Sequence, residues 1–408
     1  MEATSAAGVR AHTAWSVVDQ VVSSASNALL PLAALSLLSA DAAGRLSVLL
    51  SFVFFALGVC RSVLGETFLL ALAGTTGRPS QAVHRDMLGT ALALGSLFGV
   101  GVGILSAGLV HSGWWSIAVG AGFGAVVVQD TARYAFFAHL EARRAVVSDA
   151  LWLALFLGWV AAIHSTATPT SLLVAWVLAG GVAGAIAVRQ LRAAPRVLGA
   201  TGVARRLSRL GAKIGAEFIA VSGLPQALIA VVGLSASLAG AGPYRLATTV
   251  LTPAGVVVTG VITALQPVCV RFSDRPDRLR SYFLRAAAVG SAAVVACVVA
   301  VWLVPRGLGT RVLGVSFDAG RRLCVPLGVA GVAQSASAAA NLVVRARDRV
   351  MDAVRVRFGF GLACLAVSVP AAHRWGGTGV AWLYATCSVA AFGGLLLSPA
   401  LRFRVSAR

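Results

Sequence analysis

Long apolar stretches separated by short polar ones dominate the chain. Twelve of them, about 15–39, 44–70, 87–110, 114–138, 147–165, 170–188, 214–239, 244–270, 283–304, 323–344, 354–372 and 377–400, have spanning length. A helix needs roughly 20 apolar residues to cross the hydrocarbon of a bilayer. The pattern predicts an all-α polytopic membrane protein with about twelve transmembrane helices.

Polar positions inside these stretches fall on helical faces. Helix 1 carries Ser16, Gln20, Ser23, Ser24 and Asn27, mostly three or four apart, with Asp19 beside them. Helix 2 places Ser51, Gly58, Arg61, Ser62, Gly65 and Glu66 along one broad stripe, and helix 8 does the same with Arg245, Thr248, Thr249, Thr252 and Thr259. Helix 7 opens with Glu217 and later offers Gln226. Residues at this spacing share a face, so a polar cleft lined by helices 1, 2, 7 and 8 is expected. Arg61, Arg245, Asn27 and Gln20 are its candidate binding groups.

A guanidinium in hydrocarbon persists where it faces a bundle interior or a wet cavity. It keeps its proton, and its planar fork suits phosphate. Duller roles stand beside this one. Arg61 has Glu66 and Asp19 as possible structural partners, and Arg245 has the external interface to snorkel towards. The segment QDTARYAFF (129–137) packs Gln129, Asp130, Arg133 and Tyr134 into one and a half turns, and Asp149 follows just past the hairpin. Asp130, Arg133 and Asp149 form either a charged latch or a static clamp, since intramembrane charges usually neutralise one another. Asp19, Glu66 and Glu217 are the candidate coupling carboxylates.

Composition agrees with a life in lipid: 58% of residues are apolar and 12% charged, with a mean hydropathy of +0.86. Soluble domains carry about 25% charged residues. The net charge of +20 would point to nucleic acid in a soluble protein; here its distribution gives another account. With the N-terminus in the cytoplasm, inner segments hold 25 basic residues, outer loops six, and the membrane the remaining three, Arg61, Arg133 and Arg245. The positive-inside rule then places both termini in the cytoplasm. A plasma (inner) membrane location is expected, with the lipid bilayer as partner and no nucleic acid. No cleavable signal peptide is evident, so the first apolar segment reads as a true span.

The longest inner connection, 188–213, is basic and splits the spans six and six. The expected organisation is a lobe over 1–190, a linker over 191–213 and a lobe over 214–408. A short likeness between LSLLSADAAGRLSVL (35–49) and LSASLAGAGPYRLATTV (234–250) fits a six-plus-six repeat. Pro31, Pro225 and Pro253 interrupt helices 1, 7 and 8.

Motifs for catalysis are lacking. No Walker A, HExxH or Gly-x-Ser-x-Gly element occurs, and the six cysteines form no CxxC pair. No cofactor and no metal site is expected, and the chain does not read as an enzyme. Short outer loops also disfavour a membrane glycosyltransferase.

Two elements carry a family resemblance. One is the start of helix 1, with Trp15, Asp19, Gln20, Ser24 and Asn27; the other is QD-x2-RY-x-FFA (129–138) followed by A-x2-SD-x2-W (145–152). Together they resemble actinobacterial members of the polysaccharide-export branch of the MOP (multidrug/oligosaccharidyl-lipid/polysaccharide) exporter superfamily. The resemblance implies two six-helix lobes of MATE-like fold, alternating access, and a cationic cavity that takes a lipid-linked glycan by its pyrophosphate. It also implies a place in polysaccharide biosynthesis for the cell envelope, with glycan-assembly enzymes as partners. Family cavities place basic residues on helices 1, 2 and 8; Arg61 and Arg245 match, whereas helix 1 offers Asp19 and Gln20 instead of an arginine. The function expected is a flippase or exporter of a polyprenyl-pyrophosphate-linked oligosaccharide or related precursor. The alternatives are a drug or metabolite exporter of the MATE or major-facilitator type, and a non-transporting scaffold of a polysaccharide-synthesis complex.

Overall fold

The structure, a computed structural model, describes residues 6–69, 80–197, 200–347, 350–398 and 401. The helices are α1 (Ala6–Leu37), α2 (Ala40–Cys60), α3 (Gln81–Val110), α4 (Trp115–Ala138), α5 (Ala142–Ile163), α6 (Pro169–Leu191) and α7 (Ala200–Phe218). After a short helix, Leu224–Val231, that carries the seventh span onward, they continue with α8 (Leu238–Val250), α9 (Thr252–Arg271), α10 (Pro276–Leu303), α11 (Arg306–Leu313), α12 (Phe317–Ala346) and α13 (Val350–Leu397). Among the described residues ten helices are long and apolar enough to cross a membrane. The last of them bends at Gly376, whose φ of 61° suits glycine alone, and so holds two spans. The 24-residue α4 has the length of a twelfth.

Helix ends follow local chemistry. Ser39 caps α2 by accepting from the Ala42 N–H, and Thr168 and Ser171 form a capping box ahead of Pro169 at the start of α6. Between ends, a helix satisfies its own backbone, as hydrocarbon requires. Two departures matter. A π-helical segment, Arg61–Glu66, continues α2, and another, Ile219–Gly223, continues α7 just before Pro225. Pro225 has no N–H to return to the turn before it, which accounts for the second. Pro253 likewise sits just inside α9, past the break at Leu251 that ends α8.

The chain divides into two compact units, Met1–Gln226 and Ala227–Arg408. In the first, α4 packs on α3 and α6, and α5 on α1 and α6. Trp176, Phe123, Phe136, Phe156 and Met87 fill its core. In the second, α12 packs on α10 and α13, around Leu279, Phe283 and Val343. Within the first unit α7 packs closely on the π turn: a Cβ on Gly211 would lie 2.9 Å from the Val63 carbonyl oxygen, and one on Gly215 2.8 Å from Val63 Cγ2. These glycines let α7 dock onto the first unit.

Candidate functional site

Five charged residues from four helical elements meet inside the first unit. Arg133 on α4 is the hub. Its Nη2 donates to Asp19 Oδ2 of α1 at 2.6 Å, its Nη1 donates to Asp130 Oδ1 at 3.0 Å, and its Nε lies 3.0 Å from Asp149 Oδ2 of α5. Arg61, in the π turn after α2, grips Asp130 bidentately: Nη2 donates to Oδ1 at 2.7 Å and Nε to Oδ2 at 3.0 Å. Asp130 Oδ1 is therefore shared by two guanidinium groups. Beside them, Gln129 Nε2 donates to Ser148 Oγ at 3.0 Å and to Asp149 Oδ1, and Ser148 Oγ donates to the Ala183 carbonyl at 3.2 Å.

The local sequence explains the geometry. Asp130 and Arg133 are three apart and so share a helix face. A Cβ on Gly65 would lie 2.5 Å from Tyr134 Cδ2, so the glycine admits the tyrosine ring and lets the π turn approach α4. That approach brings Arg61 to Asp130. Asp19 and Asp149 are 0% exposed, Asp130 3% and Arg133 4%, whereas the Arg61 side chain keeps 28% of its surface. Arg61 is thus the most exposed member of a buried network.

Counted as ionised, three carboxylates meet two guanidinium groups, a net charge of −1. Asp19 Oδ1 and Gln129 Oε1 are buried with no hydrogen-bond donor among the described residues. Among the described residues, no three His, Cys, Asp or Glu side chains are arranged to hold a metal ion.

The structure resolves the alternatives left open by the sequence. Arg61 pairs with Asp130. Asp149 reaches Arg133, and Asp19, near the middle of α1, is fully enclosed. Glu66 ends the π turn, partly buried, and Glu217 lies partly buried near the end of α7. Gln20 faces outward, 3.4 Å from Ser24 Oγ; Asn27 is partly buried, its Oδ1 without a donor among the described residues. In the second unit Arg245 on α8 is buried, 3% exposed, next to the enclosed Tyr244.

Sequence reading missed two polar pairs. Gln334 of α12 donates to the Tyr384 hydroxyl of α13. His84, in the first turn of α3, meets His139 at the end of α4, Nε2 to Nε2 at 2.8 Å. Partners 50 and 55 residues apart leave no local spacing signal.

The chain is a multi-pass helical membrane protein with an enclosed ion-pair network in its first unit. The comparisons with known proteins give it a closer frame. No family model and no curated protein matches the sequence. Solved structures match over nearly the whole chain. A multidrug-resistance MATE-family transporter of the MOP superfamily, in an inward-facing conformation, gives a TM-score of 0.73 at 14% identity, covering 93% of this chain and 96% of that one. The lipid II flippase MurJ, inward closed, gives 0.65 at 9% identity, covering 93% and 86%. A MOP-superfamily transporter from Pyrococcus furiosus, described as having a binding pocket of reversed polarity, gives 0.60 at 13% identity, covering 96% and 94%. The chain therefore has the fold of the MOP-superfamily transporters. At these identities the likeness is one of fold and assigns no residue a role.

Proposed function

We propose that the chain is a flippase or exporter that carries a polyprenyl-pyrophosphate-linked oligosaccharide, or a related envelope precursor, across the plasma (inner) membrane by alternating access. One observation carries this reading: Arg61, set by a π turn into an otherwise apolar span, is the most exposed member of a buried charge network. Its fork suits a diphosphate, and a protein in lipid seldom keeps such a group without use. Arg245, enclosed in the second unit, is the second anion-binding group of the proposal. Asn27 and Gln20 offer amides to sugar hydroxyls. Asp19 and Asp149, with Glu66 and Glu217 in support, exchange a proton or sodium ion, which the network's net negative charge favours. Asp130 and Arg133 are the latch. Both termini lie in the cytoplasm, as the distribution of arginine supports.

A second reading has its own support. The net charge of −1 suits a cationic substrate, and the multidrug-resistance MATE structure gives a TM-score of 0.73. An exporter of cationic drugs would use the same carboxylates directly.

The test is accumulation of lipid-linked glycan in a deletion strain, complemented by wild type or by R61A/R245A at matched expression. Precursor that builds up on the inner leaflet, and that wild type alone clears, supports the flippase. Full complementation by the double variant removes the arginines from the mechanism. No accumulation on deletion removes the glycan.

A further inference from the structure

We infer that Asp130 is a built-in competitor for Arg61: an anionic head group enters by displacing this carboxylate, and Asp130 thereby sets which anions are admitted. The inference rests on the reading of Arg61 as an anion-binding group.

Three observations carry it. First, Asp130 occupies the Nε and Nη2 donors of Arg61, the two that form one edge of the fork. An incoming anion that wants this edge meets it filled. Second, Asp130 is not stranded when it lets go. Its Oδ1 is already 3.0 Å from Arg133 Nη1, so the carboxylate keeps a guanidinium partner after giving up Arg61. The exchange therefore trades one charged pair for another and leaves no buried charge alone, the arrangement that is most destabilising. Third, accessibility is one-sided: 28% of the Arg61 side chain is exposed against 4% of the Asp130 side chain. A ligand reaches the pair from the arginine side while Asp130 retreats into the protein.

The chemistry makes this a filter. A carboxylate ligand offers two oxygens and one charge, the same as Asp130, and gains nothing by replacing it. A diphosphate offers more charge and more acceptor oxygens, and so displaces it. Small carboxylates and other singly charged anions are held off; diphosphates pass.

The experiment uses full-length protein in nanodiscs, with inorganic pyrophosphate and acetate as probes and calorimetry as the readout. Variants are D130N, R61A and R61A/D130N. Asn has the shape of Asp, and D130N leaves two carboxylates against two guanidinium groups, which takes the network from a net charge of −1 to neutral. The expected result is pyrophosphate binding about tenfold tighter in D130N than in wild type, acetate binding gained in D130N, and both lost when R61A is added. Unchanged or weaker pyrophosphate binding in D130N, with R61A still abolishing it, overturns the competitor and leaves Arg61 as the anion site. Pyrophosphate binding untouched by R61A overturns the anion-site reading itself. A second measurement needs no substitution. Infrared difference spectra of wild type with 13C-carboxyl aspartate must show an aspartate band shifting on pyrophosphate binding; no aspartate shift on saturation overturns the competitor.

Discussion

Removing Arg133 gives the sharpest test of the network. The Arg133→Met variant keeps the length of the side chain and deletes its charge. Three carboxylates that now lie 2.6 Å, 3.0 Å and 3.0 Å from one guanidinium would then share Arg61 alone. Arg61 reaches Asp130, so Asp19 and Asp149 lose their guanidinium partner. Taking one member from a buried ion pair destabilises by about 3–5 kcal/mol, because the other charge stays enclosed. The three contacts act as one unit and do not add, so this range is the expected loss. For a domain of 150–250 residues each kcal/mol moves Tm by about 2–4 °C, which predicts a fall of roughly 6–20 °C. The assay is thermal unfolding in detergent followed by size-exclusion fluorescence. The triple variant R133M/D19N/D149N removes the two stranded charges and leaves the Arg61–Asp130 pair. It should recover most of the loss, since a buried ion network exchanged for neutral groups is often neutral in stability. Arg133→Lys should fall between, as one ammonium cannot serve three carboxylates with a planar fork. An R133M protein within about 2 °C of wild type, or a triple variant no more stable than R133M, refutes the network as one coupled unit.

Three further outcomes are expected. A Cβ on Gly120 would lie 2.7 Å from the Gly99 carbonyl oxygen, so Gly120→Ala should force α3 from α4 and cost about 1–3 kcal/mol; Gly108→Ala, with open space around it, should leave Tm unchanged. Gly376 has φ 61° and ψ −155°, a conformation that costs other residues about 1–3 kcal/mol, so Gly376→Ala should lower Tm whereas Gly359→Ala should not. A cysteine at Leu308 of α11, which is 55% exposed, should react with a membrane-impermeant maleimide in intact cells; protection there, with labelling only after lysis, would reverse the topology.

Span number was legible because the apolar stretches of helices 1 to 12 are long and the arginines between them are uneven. The Asp130–Arg133 pair and the reach of Asp149 were legible for a local reason: three residues are one helical turn, and a short hairpin keeps neighbours together. The partner of Arg61 was not. Its contact with Asp130 spans 69 positions and depends on a π turn and on the missing side chain of Gly65. Neither has a sequence signature, since a π turn keeps the composition of the helix around it. The docking of Gly211 and Gly215 on Val63 was also hidden, because it is a matter of shape.

Membrane potential separates the two functional readings by sign. A pyrophosphate diester carries about two negative charges. Moving them outward across a membrane 100 mV negative inside gains about 2.3 kcal/mol per charge, or roughly 4.6 kcal/mol, and each 1.4 kcal/mol is tenfold. On the flippase reading, potential alone then supports about a thousandfold gradient of flipped precursor, and no cation gradient is needed to drive it. A cationic drug moves outward against the same potential and loses about 2.3 kcal/mol per charge, so its export depends on the cation gradient. Valinomycin at high external potassium, which collapses the potential, should therefore make wild-type cells accumulate inner-leaflet precursor as the deletion does. Nigericin, which exchanges protons for potassium, should have the smaller effect on precursor. The reverse order, with transport stopped by nigericin and spared by valinomycin, would sink the potential-driven flippase and favour a cation-coupled exporter working through the excess carboxylate.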